Sequence, residues 1–102
     1  MNIPEIRAAL DAAGAETLDR RACMLDIKRS TCFAIFSDSS RKARGISARI
    51  LSRMLRSPHL PAGARAAVVQ YARRKADNLA GRNRKVFMKK ISGDLQAAND
   101  NN

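Results

Sequence analysis

The side chains best able to do chemistry in this sequence are its cations. Fourteen Arg and six Lys stand among 102 residues, against nine Asp and Glu, two Cys and a single His. A guanidinium offers a planar fork of N–H donors that fits phosphate oxygens and the acceptor edge of guanine. It fits carboxylates too, so arginine richness favours nucleic acid only mildly over an acidic protein partner. Other chemistry finds little support. His59 sits in a turn between Pro58 and Pro61, with no Ser or Cys at a catalytic spacing. Cys23, Cys32 and His59 form neither a CxxC nor an HxxxH pattern, and no GxxxxGK[ST] or GxGxxG loop occurs. The nine carboxylates form no evident acid–base or metal pair. The expectation is a binding protein, not an enzyme, with no cofactor and no metal.

The cations are not spread evenly. Residues 1–19 hold four carboxylates and only Arg7, whereas residues 20–92 hold nineteen cations and three carboxylates; Asp94 and Asp100 follow near the end. A formal net charge of +11 on so small a chain implies strong self-repulsion. A polyanion relieves it, because Lys and Arg replace and release the counterions condensed on its phosphates. Nucleic acid is therefore the first expected partner and an acidic protein the second.

Nothing in the chain approaches the roughly 18 apolar residues of a membrane-spanning helix. Met1-Asn2-Ile3-Pro4-Glu5 lacks the basic stretch and apolar run of a secretory signal. Cys23 and Cys32 read as buried free thiols of a reducing compartment. A cytoplasmic location follows as an expectation. A single domain over residues 1–98 with a frayed tail at 99–102 fits the length. A chain this size buries a limited core, so pairing with a second copy is also expected.

The elements that must carry the cations follow from periodicity. Ile3, Ile6, Leu10 and Ala13 recur at helical spacing, and Gly14 ends that helix. Residues 16–36 admit two readings. As a helix they carry apolar stripes on two sides, one of Leu18, Ala22, Leu25, Cys32, Phe33 and Phe36, the other of Met24, Ile27, Thr31 and Ile35. As a hairpin, Ala22–Ile27 would pair with Thr31–Phe36, but Lys28-Arg29-Ser30 supplies poor turn chemistry. The helix is favoured. Residues 37–45 form a polar linker in which Arg41, Lys42 and Arg44 stand beside three serines.

Residues 46–57 are the clearest amphipathic helix, with Ser47 as its expected N-cap. Ile46, Ile50, Leu51, Met54 and Leu55 fill one side, and Arg49, Arg53 and Arg56 the other. Pro58, Pro61 and Gly63 then break the chain, and a helix over about 64–80 buries Val68, Val69, Ala72, Ala76 and Leu79. Its many small residues predict close packing. Arg65 lies near its start, Gln70, Arg73 and Arg74 lie on its outer side, and Lys75 flanks them. Gly81 is expected to end it. Arg82, Arg84 and Lys85 lead into a last helix, about 84–98, with Phe87, Met88, Ile91 and Leu95 inside.

The fold predicted is an all-α, compact bundle of four to five short helices, with α+β as the alternative if residues 22–36 are a hairpin. The helices before and after the proline turn would form a helix–turn–helix-like pair, although a turn of about seven residues exceeds the usual three or four. In that arrangement the 64–80 helix would enter a major groove with Gln70, Arg73 and Arg74, while Arg49, Arg53 and Arg56 would touch backbone. Only Tyr71 is expected to be a half-exposed ring. Single-strand binders stack bases on several, so duplex DNA is the expected ligand.

Overall fold

The structure, a computed structural model, describes residues 3–37 and 46–100. It is an all-α bundle of six helices: α1 (Ile3–Ala12), α2 (Leu18–Leu25), α3 (Arg29–Ser37), α4 (Ala48–Arg56), α5 (Ala62–Asn78) and α6 (Gly81–Asp100). Among the described residues there is no strand. Arg41, Lys42 and Arg44 lie outside the described residues.

Two local stops shape the first half. Gly14, at φ 93°, takes the left-handed conformation after α1; its N–H donates to the Asp11 carbonyl and the Ala15 N–H to that of Leu10. Asp26 does the same after α2 at φ 56°, with its own N–H donating to Cys23 and that of Ile27 to Ala22. This is the Schellman pattern, and Asp is one of the few residues besides Gly and Asn that tolerates it. The 16–36 segment is therefore neither one long helix nor a hairpin. It is two short helices meeting at a corner, which raises the helix count from the expected four to five to six. The corner also separates the cysteines: Cys23 is exposed on α2 and Cys32 is buried on α3, so only one of the two is the buried thiol expected.

The second half is built around α5. This helix packs against α1, α4 and α6. Ala64, Ala72 and Ala76 are buried along it, and such small side chains let three neighbours approach its backbone. Val68 and Val69 fill between them. From the other helices Ile6, Leu10, Leu51, Met54 and Ile91 are completely buried in the same core. Each contributes about 1.5–3 kcal/mol of burial free energy. The most extensive helix–helix contact is between α4 and α6.

The chain boundaries differ from those read in the sequence, for local reasons. Ser47 caps α4 as expected, accepting the Ile50 N–H. The proline turn is five residues, 57–61, because α5 begins directly after Pro61. It is tightened by buried Ser57, whose hydroxyl donates to the Met24 carbonyl and accepts the His59 N–H. Gly81, at φ 58°, makes the corner into α6 and does not end α5, which closes at Asn78. The backbone of α6 stays helical to Asp100, into the stretch expected to fray.

Candidate functional site

Cations and carboxylates are mixed in the first half of this bundle, and cations dominate the second. α1, α2 and the turns after them carry Glu5, Asp11, Glu16, Asp19 and Asp26. Local cations answer several of these: Arg21 donates to Asp11 at 2.6 Å and Arg29 to Asp19 at 2.8 Å. Residues 46–97, by contrast, hold twelve cations and only Asp77 and Asp94.

On α4, Arg49, Arg53 and Arg56 are all exposed. Their i, i+4, i+7 spacing sets them along one side of the helix. Arg56 reaches across to α6, where its Nε donates to Asp94 Oδ1 at 2.8 Å. The Ser52 hydroxyl donates to the other oxygen of the same carboxylate. Asp94 is only 11% exposed. Burial pushes its carboxyl up, but the bonds from Ser52 and Arg56 and the Arg56 charge together outweigh that and hold it below its usual range. It is an ionised, fully answered carboxylate and presents little negative charge to solvent.

α6 carries exposed cations of its own. Lys90 lies one turn before Asp94 on the same side of the helix. Arg82, Lys85 and Lys89 recur at i, i+3, i+7 on the side opposite buried Phe87, Ile91 and Leu95. The first six residues of α6, Gly81 to Val86, are all exposed, so the start of this helix projects from the bundle. No carboxylate occurs between Arg82 and Gly93. Exposed cations thus stand on both α4 and α6, and the Arg56–Asp94 bridge ties the two helices together.

Several expected residues turn out to serve the fold. Arg65 folds back from α5 and donates to the carbonyls of Leu55 at 2.6 Å and Ser57 at 3.1 Å, satisfying acceptors left open where α4 ends. Lys75 is partly buried, donates to the Ile46 carbonyl and lies 5.6 Å from the centre of the Phe87 ring. Burial lowers its ammonium from the ordinary lysine value. Tyr71 is not the half-exposed ring expected: it is 4% exposed, and its hydroxyl accepts the Ile46 N–H at 2.8 Å. Burial raises its phenol, partly offset by that bond. The exposed ring is Phe33 on α3.

Gln70 and Arg73 are exposed on α5, as is Arg74, but Arg74 stands 3.9 Å from Glu5 of α1. Arg84 stands 3.7 Å from Asp77 of α5, while Arg82 and Lys85 carry no ion pair among the described residues. As the central helix, with three neighbours packed on it, α5 keeps only a narrow outer strip, and that strip shares its surroundings with Glu5 and Asp77. α6 takes the exposed position expected of α5. Lys89 and Lys90 were missed in the sequence reading, although the spacing that places Phe87, Ile91 and Leu95 inside places both of them outside.

Among the described residues no three His, Cys, Asp or Glu are grouped to hold a metal ion. No described helix is long and apolar enough to cross a membrane. Comparison with protein families, with curated proteins and with solved structures finds no match for the chain.

Proposed function

We propose that this protein binds duplex nucleic acid, with DNA as the expected form, as a small regulator or accessory factor. The observation that carries the reading is the density of exposed cations on α4 and α6, where Asp94, the one carboxylate of the described side chains on these two helices, is already answered by Arg56 and Ser52. α6 is 20 residues long, about 30 Å. A helix of this kind fits the roughly 12 Å width of a major groove. Its exposed face would set Arg82, Lys85 and Lys89 against phosphates or base edges, and Arg49, Arg53 and Arg56 of α4 would follow the adjoining backbone. The surface offers few rings for base stacking, which favours a duplex over a single strand.

A second reading, an acidic protein partner, draws on one observation. Val86 is 46% exposed in the middle of the α6 cations, an apolar spot ringed by positive charge. Fluorescence anisotropy with duplex DNA, single-stranded DNA and duplex RNA of equal length separates these readings. Duplex probes are expected to bind at low salt and single strands more weakly. Undetectable duplex binding, together with nuclease-resistant capture of one acidic protein, would overturn the first reading in favour of the second.

A further inference from the structure

A groove of about 340 Å³ opens beside Arg49 and Arg53, where the corner between α2 and α3 meets the start of α4. Its size lies within the range of sites that take small molecules, about 300–1,000 Å³. The lining is divided by chemistry. Ile27 and Ile50, both partly buried, supply apolar surface. Lys28, Arg49 and Arg53 supply three cations, and Thr31 and Ser47 two hydroxyls. No carboxylate lines the groove, and none of the three cations has an ion-pair partner among the described residues. The acids nearest in sequence to Lys28 do not fill the gap. Asp19 is bound to Arg29, and Asp26 is exposed and absent from the lining.

Three like charges around one hollow repel each other, and a ligand bearing two or more negative charges relieves that repulsion. Ser47 is set up to help. Its oxygen already accepts the Ile50 N–H at 3.3 Å, which leaves its own proton to donate. A bare inorganic anion would use the cations but leave the isoleucines wet. We infer that this groove binds a nucleotide carrying a terminal phosphate, with the phosphate toward Lys28, Arg49 and Arg53 and the base against Ile27 and Ile50. The nucleotide can be free in solution or the end of a strand, and the chemistry recognised is the same. The inference goes beyond duplex binding and involves Lys28, which lies outside the proposed duplex surface.

The test is calorimetric titration of the full chain at low salt with AMP, with adenosine and with inorganic phosphate. AMP is expected to saturate one site per chain, with adenosine and phosphate each at least about tenfold weaker, since each lacks one half of the recognition. Lys28→Gln should weaken AMP about tenfold and leave the affinity of a 5′-hydroxyl duplex nearly unchanged. Arg82→Gln should do the reverse, so failure of the groove and failure of the duplex reading are separable. Lys28 is exposed on the α2–α3 corner, and a thermal melt of K28Q confirms that folding is intact. Absence of saturable AMP binding, or AMP affinity unaffected by K28Q, overturns the inference. Competition by 5′-phosphorylated and 5′-hydroxyl duplexes then assigns the source. Stronger competition by the phosphorylated end marks a strand terminus, and equal competition marks free nucleotide.

Discussion

Arg56 on α4 and Asp94 on α6 lie thirty-eight residues apart in the chain and meet at 2.8 Å. Their bridge ties α4 to α6 and answers the carboxylate that lies between two cation-rich helices. The two partners differ in environment: the Arg56 side chain is 74% exposed and that of Asp94 only 11%. Hydrogen bonding to Asp94, followed by its charge, raises the guanidinium further above its ordinary value, so Arg56 stays cationic at any physiological pH.

The bridge makes a pH prediction. The folded pKa of Asp94 lies below its unfolded value, near 3.9 for a free aspartate. Its stabilising contribution is therefore fully present above the unfolded pKa and is lost as pH falls through the lower folded value. Asp94→Ala should cost about 1–3 kcal/mol at pH 7, by removing the bonds to Ser52 and Arg56. Urea unfolding at pH 7 and at pH 2.5 checks this. The deficit of the variant should shrink in acid, and a deficit of the same size at both pH values would contradict it. Duplex affinity should not fall, because the variant loses only a negative charge.

Tyr71 and Lys75, one turn apart on α5, hold the N–H and the carbonyl of Ile46. Tyr71→Phe leaves a buried N–H without its acceptor and should cost about 1–3 kcal/mol. The residue-level readout is amide hydrogen exchange. The Ile46 amide should lose protection more than the amides of α6, and unchanged Ile46 protection would refute the clamp.

Arg65 and Arg82 should separate stability from binding. Arg65→Gln withdraws donors from two carbonyls at the end of α4 and should lower stability by about 1–3 kcal/mol with little effect on the salt dependence of binding. Arg82→Gln changes an exposed side chain and should alter stability by less than about 0.5 kcal/mol. It should nevertheless weaken duplex binding. Thermal melts and anisotropy on the same two proteins test the contrast, which fails if Arg65 proves the more damaging to binding at temperatures where both variants are folded.

The thiols should differ in reactivity. Burial raises the Cys32 thiol above its ordinary value, with the Arg21 charge opposing, whereas Cys23 is exposed. Since the thiolate is the reactive form, a chromogenic disulfide reagent should titrate one fast thiol per native chain. Cys23→Ser should abolish that phase, and its survival would contradict the placement of the two helices.

The helical architecture was legible because apolar spacing is a local signal. Ile50, Leu51, Met54 and Leu55 fix the inner side of α4, and Phe87, Ile91 and Leu95 that of α6. The corner at Asp26 was not legible, because the residue in its left-handed turn is an Asp and not the Gly that openly marks the stop after α1. The candidate site was half legible. Arg49, Arg53 and Arg56 were visible as a stripe, but which helix lies at the centre is decided by tertiary contacts. The small residues of α5 signalled close packing, and three-sided packing leaves little surface for reading a groove. Arg65 and Lys75 looked like surface cations in sequence; only the fold shows that backbone carbonyls claim them.

The salt dependence of duplex binding tests the central claim most directly. Each phosphate neutralised contributes about 0.9 to the slope of log affinity against log salt concentration on B-DNA. A 20-base-pair duplex titrated over a salt series with the native chain and with R82Q/K85Q/K89Q should give a steep negative slope for the native chain. The triple variant should be shallower by about 2 to 3, corresponding to up to three lost phosphate contacts. Equal slopes for the two proteins, or native binding that does not change with salt, would contradict the exposed cations of α6 as a nucleic-acid surface.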